Sequence, residues 1–209
     1  MNKDSIKKIT YSAIGILVFI VIVYLVSPLF ISTEINEPLP PTIKPIVTFE
    51  EFSKMSEDER IEIAKNMTNE QESQMLVQFA ESGNNTRLDE DMNINILATS
   101  NQSTGTATFV GVNDGIHNAE GQAKIIPISN NDNILRLENL KVTNGPDLYV
   151  YLSTDKGASE FVNLGKLKAN NGNQNYNIPS DTDLSKYYTV LIWCKAFSVL
   201  FGSAELKIP

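Results

Sequence analysis

Hydrophobic positions follow three different rhythms along this chain. Between Ile9 and Thr33 the sequence ITYSAIGILVFIVIVYLVSPLFIST contains no charged residue. About 20 helical residues cross a hydrocarbon core of about 30 Å, so residues 9–33 predict a transmembrane helix. Pro28 falls near its end, where a helix tolerates interruption. A cleaved signal peptide has a shorter apolar region and ends in small residues of A-x-A type. The exit SPLFIST lacks that pattern, and no cysteine stands nearby to carry a lipid. The run reads as an uncleaved signal anchor.

The second rhythm is helical. It follows Pro38, Pro40, Pro41 and Pro45, which predict an extended spacer over residues 34–47. Three capping boxes then occur in order: Thr48 with Glu51, Ser56 with Glu59, and Thr68 with Gln71. Ile61, Ile63 and Ala64 share a face after the second. Met75, Leu76 and Phe79 recur at helical spacing after the third, and Gly83 follows as a stop. The pattern predicts two or three short helices between about 48 and 82, able to form a hairpin, within a partly helical stalk over residues 48–104.

From Thr104 the period becomes two. GQAKIIPI sets Ala123 and Ile125 against Gln122 and Lys124, and NILRLENLKV sets Leu135 and Leu137 against Arg136 and Glu138. DLYVYLS sets Leu148, Val150 and Leu152 against Tyr149 and Tyr151. YYTVLIWCK is apolar on both faces, as a doubly covered central strand is. In the last run, Ala204, Leu206 and Ile208 oppose Glu205 and Lys207. Turn-forming stretches at 113–115, 130–132, 144–147 and 170–173 separate these runs. Seven or eight strands within residues 105–209 predict an antiparallel β-sandwich or barrel, large enough to form its own core. The expected fold class is therefore mainly β, preceded by a transmembrane helix and a short helical stalk.

Charge sharpens the division. Residues 1–31 carry a net +2, residues 32–104 a net −9 and residues 105–209 a net −1. Lys3, Lys7 and Lys8 make residues 1–8 a basic tip, and Glu34 and Glu37 follow the apolar run. By the positive-inside rule the N-terminus is cytoplasmic, and the rest is extracytoplasmic, held at the cell membrane by one span. No basic patch speaks for nucleic acid. The acidic run in RLDEDMNIN lacks the turn-making glycine of a calcium loop. Asn66, Asn84 and Asn101 head Asn-x-Ser/Thr sequons, sites of glycosylation compatible with an exposed segment.

Four blocks occur in a fixed order: GIHNAEGQAKI, ILRLENLKVTNGPDLYVYLS, FVNLGKLKANNGNQNYNIP and YYTVLIWCKAFSVLFGSAEL. Together they resemble the DM13 domain family over about residues 105–209. The resemblance implies an extracellular β-rich domain with one characteristic cysteine and a proposed electron-transfer role. It places Cys194 on the family cysteine and His117 on the histidine of the first motif. It places Gly145, Pro146 and Asp147 on a Gly-Pro-Asp turn, Gly165 on a Leu-Gly step, and Gly172, Asn173 and Gln174 on a Gly-Asn-Gln turn. Ala169 departs from the pattern, where a glycine is expected after Leu-Lys.

Cys194 and His117 are also the single cysteine and single histidine of the chain. By alternation Cys194 shares a face with Val190 and Ile192. A buried free cysteine behaves as a small hydrophobe, whereas a redox role needs a thiolate favoured by Lys195 or by His117. His117 is read either as a structural turn residue or as that partner. Two soft ligands make an incomplete zinc or copper site. The absence of C-x-x-C and C-x-x-C-H excludes a dithiol centre and covalent haem. The sequence requires no cofactor; noncovalent haem, through His117 or a methionine, and a metal stay open. No exposed nucleophile turn, Walker loop or dinucleotide motif speaks for a conventional enzyme.

Two functions follow. One is a membrane-anchored redox or electron-transfer domain centred on Cys194, with another extracytoplasmic redox or surface protein as partner. The other is a non-catalytic binding or adhesion module that holds the cysteine in its core.

Overall fold

The structure, a computed structural model, describes residues 3–26, 47–83, 85–91, 104–128 and 132–207. Compactness divides the chain into two units, Met1–Thr42 and Ile43–Pro209. In the first, helix α1 spans Lys3–Val26. Its described side chains, Tyr11 and Ile14 through Tyr24, are exposed. Counted over the described residues, no helix is long and apolar enough to cross a membrane. The end of the uncharged run, the Pro-rich spacer to residue 46, and the sequon residues Asn84 and Asn101 lie outside the described residues.

The second unit opens with three helices: α2 (Phe49–Lys54), α3 (Glu57–Ala64) and α4 (Asn69–Glu81). Each begins at one of the capping boxes read from the sequence. Thr48, Ser56 and Thr68 accept from the amides of Glu51, Glu59 and Gln71, whose side chains reach back to the cap amides. Each box satisfies two of the amides that a helix start leaves without partners. Asn66 is exposed just beyond α3.

Among the described residues ten strands follow: β1 (Arg87–Asp89), β2 (Gly105–Thr108), β3 (Val110–Gly111), β4 (Ala119–Pro127), β5 (Asn133–Val142), β6 (Leu148–Ser153), β7 (Phe161–Lys166), β8 (Asn171–Ile178), β9 (Thr189–Cys194) and β10 (Val199–Glu205). They form two five-stranded sheets, ordered β1-β8-β5-β4-β2 and β3-β10-β9-β6-β7. All pairings are antiparallel except that of β1 with β8. Of the two expected architectures the molecule adopts the sandwich; the sheets do not close into a barrel. Strand β9 is central in its sheet, as its doubly apolar pattern predicted. Val190, Ile192 and Cys194 face the core between the sheets, while Leu191 joins Tyr149 and Tyr151 in a second cluster on the other face.

Three sequence expectations require correction. First, the segment read as a stalk does not stand away from the β domain. Val47, Phe52, Ala64, Met75 and Leu76 enter the same core as Leu135, Ile192 and Phe201. The helices therefore cap the sandwich, and the compact unit begins near residue 43 rather than 105. Second, Gly172, Asn173 and Gln174 lie within β8 and not in a turn. Gly172 adopts φ 108°, and a Cβ there would lie 2.0 Å from the Leu88 carbonyl oxygen. Only glycine lets β1 approach this closely. Third, Arg136, read as outward, is buried because residues 87–91 cover that face, and its guanidinium donates to the Glu90 carbonyl at 2.7 Å.

Candidate functional site

The last residue of β9 is Cys194. It stands opposite Leu148 on β6 and Val199 on β10, at the mouth of the turn Lys195–Ser198. Ser198 closes that turn with φ 55°. The sulfur lies where a sheet end, two turns and the helical cap converge. It is fully buried, and its thiol donates to the Pro146 carbonyl at 2.9 Å. Burial pushes the thiol pKa up to about 12, against the opposing pull of the Phe197 and Ala196 amides, which favour the thiolate. In this closed arrangement the sulfur is a neutral thiol at any physiological pH.

Pro146 and Asp147 form the turn into β6, and Asp147 adopts φ 50°. Its side chain is only 2% exposed and receives Arg60 of α3 through two bonds, Nε to Oδ2 at 2.6 Å and Nη2 to Oδ1 at 2.7 Å. Such a two-pronged pair fixes orientation as well as charge. The same guanidinium donates to the Met55 carbonyl at the end of α2. Lys195, the residue after the cysteine, pairs with Glu57 of α3 at 2.5 Å. Glu57 also receives Lys166 at 2.8 Å and the Tyr149 hydroxyl at 2.8 Å. Lys166 and Lys195 hold the Glu57 carboxyl at about 2. Phe52 of α2 stacks on Phe197 in the turn after the cysteine, with ring centres 5.6 Å apart.

His117 is placed differently from the expectation of a direct partner. Its Nδ1 faces Asp114 Oδ2 at 2.6 Å, and its ring meets Phe201 edge-on at 4.7 Å. Burial works against the charge on Asp114, but bonds from the His117 amide and ring and the Ile116 amide prevail and hold the carboxyl at about 2. No hydrogen bond joins His117 to Cys194 among the described residues. Their connection runs through packing: the Phe201 ring lies so close to Gly145 that a Cβ there would sit 2.6 Å from it, and Gly145 precedes the Pro146 carbonyl that holds the thiol. His117 Nε2 is buried without a protein partner. Glu72 of α4 lies within electrostatic range of both His117 and Cys194, and burial raises its pKa.

The described residues hold no group of three or more His, Cys, Asp or Glu side chains able to bind a metal. A cavity of about 180 Å³ is lined by Gly145 and Asp147 of the Gly-Pro-Asp turn together with Asn144, Lys166, Leu167 and Asn170. A larger cleft of about 460 Å³ along β2 and β10 shares no lining residue with the cysteine's surroundings.

Sequence reasoning found Cys194 and the Gly-Pro-Asp turn but missed Arg60, Glu57 and Phe52. Their spacing marks them as ordinary helix-surface and helix-core residues. A signal was present in Asp147, an acid in a tight turn whose partner the local sequence does not supply.

No curated protein and no solved structure matches the chain. Residues 108–206 match the family model described as Electron transfer DM13. The β domain of this chain, with Cys194 at the end of its central strand, thus belongs to the DM13 family.

Proposed function

We propose that this chain is a membrane-anchored, extracytoplasmic electron-transfer domain with Cys194 as its redox centre. The observation that carries the reading is the seat built around one sulfur. A carbonyl accepts from the thiol, and the Gly145–Asp147 turn, within the residues that the family model matches, forms its wall. The anchor is supported by the uncharged run from Ile9 to Thr33, by the lysines before it, and by an α1 whose described apolar side chains are exposed.

With one cysteine in the chain, redox chemistry proceeds with a second molecule. Cys194 attacks a partner's disulfide, forming a mixed disulfide. The partner's other sulfur leaves and takes the proton lost by Cys194, so the exchange balances without an added oxidant. His117 enters this reading indirectly, by setting Phe201 against the turn that holds the thiol.

The competing reading is a binding or adhesion module with an inert core cysteine. The complete burial of the sulfur and its raised pKa favour it.

The test is to incubate the folded full chain, in detergent micelles, with a low-molecular-weight disulfide and to weigh the protein. A mixed disulfide at Cys194 that is absent from Cys194→Ser supports redox function. A thiol that stays unmodified until the domain unfolds leaves the binding module.

A further inference from the structure

We infer that helices α2–α4 form a lid over Cys194, latched by Arg60 and Glu57. The inference rests on the redox reading and names the regulation of that site. Three of the contacts between the cap and the sandwich touch the wall of the thiol seat. Arg60 holds Asp147, next to the carbonyl that accepts from the thiol. Glu57 holds Lys195, the residue after the cysteine. Phe52 stacks on Phe197, three residues after the cysteine.

The two sides of this joint differ in how they are held together. The strands around Cys194 are tied by ladders to both neighbours in their sheet. The helices contain only 6, 8 and 13 residues. Isolated helices shorter than about 12–15 residues are marginal in water, so at least the first two depend on the sandwich for their structure. Segments of this kind open locally at lower cost than the strands they cover. Both latches are charge pairs, and water can replace their partners when the lid lifts. Glu57 is partly exposed, with Lys166 and Lys195 at 55% and 40% exposure, so that latch weakens with salt. Lifting the lid admits water to the seat and removes the burial that keeps the thiol protonated.

The experiment measures two rates on the full chain in detergent micelles. One is alkylation of Cys194 by iodoacetamide. The other is hydrogen exchange at cap amides (Phe52, Leu76) and sandwich amides (Ile125, Leu135). Arg60→Ala breaks a buried two-pronged pair, and alkylation should accelerate about tenfold or more. Cap amides should exchange faster in step, while sandwich amides hold. Arg60→Lys should fall between, and Lys186→Ala, which removes a surface pair far along the chain from the cap, should change nothing. If Arg60→Ala does not fold, wild-type protein compared at low and high salt provides the same reading, with faster alkylation at high salt.

The lid is overturned if Cys194 is alkylated only at the exchange rate of the sandwich amides, or if cap amides open while the thiol stays inert. A separate failure is distinguishable. If the opened thiol is alkylated but never forms a mixed disulfide, the lid stands and the redox reading falls.

Discussion

Gly172 shows how much one position without a side chain can hold. The sequence reads it as a turn residue, yet it lies within β8, where its φ of 108° and the Leu88 carbonyl against it let β1 dock. Gly172→Ala should cost about 1–3 kcal/mol from backbone strain and free residues 87–91 from β8. A lowered denaturant midpoint, with loss of amide protection at Asn171, checks this. Phe52 is a second case. It is fully buried between Phe79 and Phe197, and Phe52→Ala should destabilise the unit by about 3–5 kcal/mol. Calorimetry on the full chain would show a small loss instead if the cap were merely adjacent. Cys194 itself was identifiable from the sequence as a core-facing residue, because Val190 and Ile192 set its face. Its state was not, because a thiol pKa depends on what surrounds it, and the seat joins the turn after the cysteine to the Pro146 carbonyl, 48 positions away along the chain.

Among the elements, the cap is where charge acts. Glu57 is held at about 2 against an ordinary 4.5, first by Lys166 and then by Lys195. A carboxyl with a depressed folded pKa stabilises above its unfolded value and loses that contribution as pH falls through the folded one. The cap should therefore be fully latched above pH 4.5 and loosen as pH falls toward 2. The groups facing this joint are Lys166, Lys195 and Tyr149 around Glu57, and Arg60 and Lys166 around Asp147. Amide resonances of α2 and α3 followed by NMR should shift in that window before those of β4 and β5. In Glu57→Gln the contribution of this latch to the acid response should be gone; an unchanged response assigns it to other carboxyls. Asp114 loses its ionised form over an overlapping range, so the loop before β4 should respond as well.

At the level of the whole molecule, the unit from residue 43 onward should melt as one cooperative transition, because helices and sheets share a core. Residues 105–209 expressed alone lack β1 and the cap. That fragment should keep β-type circular dichroism, bind a hydrophobic dye and expose Cys194 to rapid alkylation. A fragment with a protected thiol would show that the sandwich alone buries the sulfur. The proposed orientation predicts that protease added to intact cells removes the β domain while a cytoplasmic control stays intact. A domain left uncut under those conditions contradicts it.

The helix starts, the inner and outer faces of β4, β6 and β9, and the family were determined by the sequence itself. Each rests on local information: a capping box spans four residues, a strand's faces follow from a period of two, and the family motifs run in chain order. Tertiary structure decided the rest. Strand β1 has three residues and no apolar period, so only its pairing with β8 makes it a strand. Capping boxes set where a helix begins but not what it packs against, so the helices read as a stalk although they close the sandwich. The seat of Cys194 is assembled from α2, α3, the Gly-Pro-Asp turn and the β9–β10 turn. Burial and ion pairing between such distant segments depend on the folded distance between them, which no local pattern in the sequence encodes.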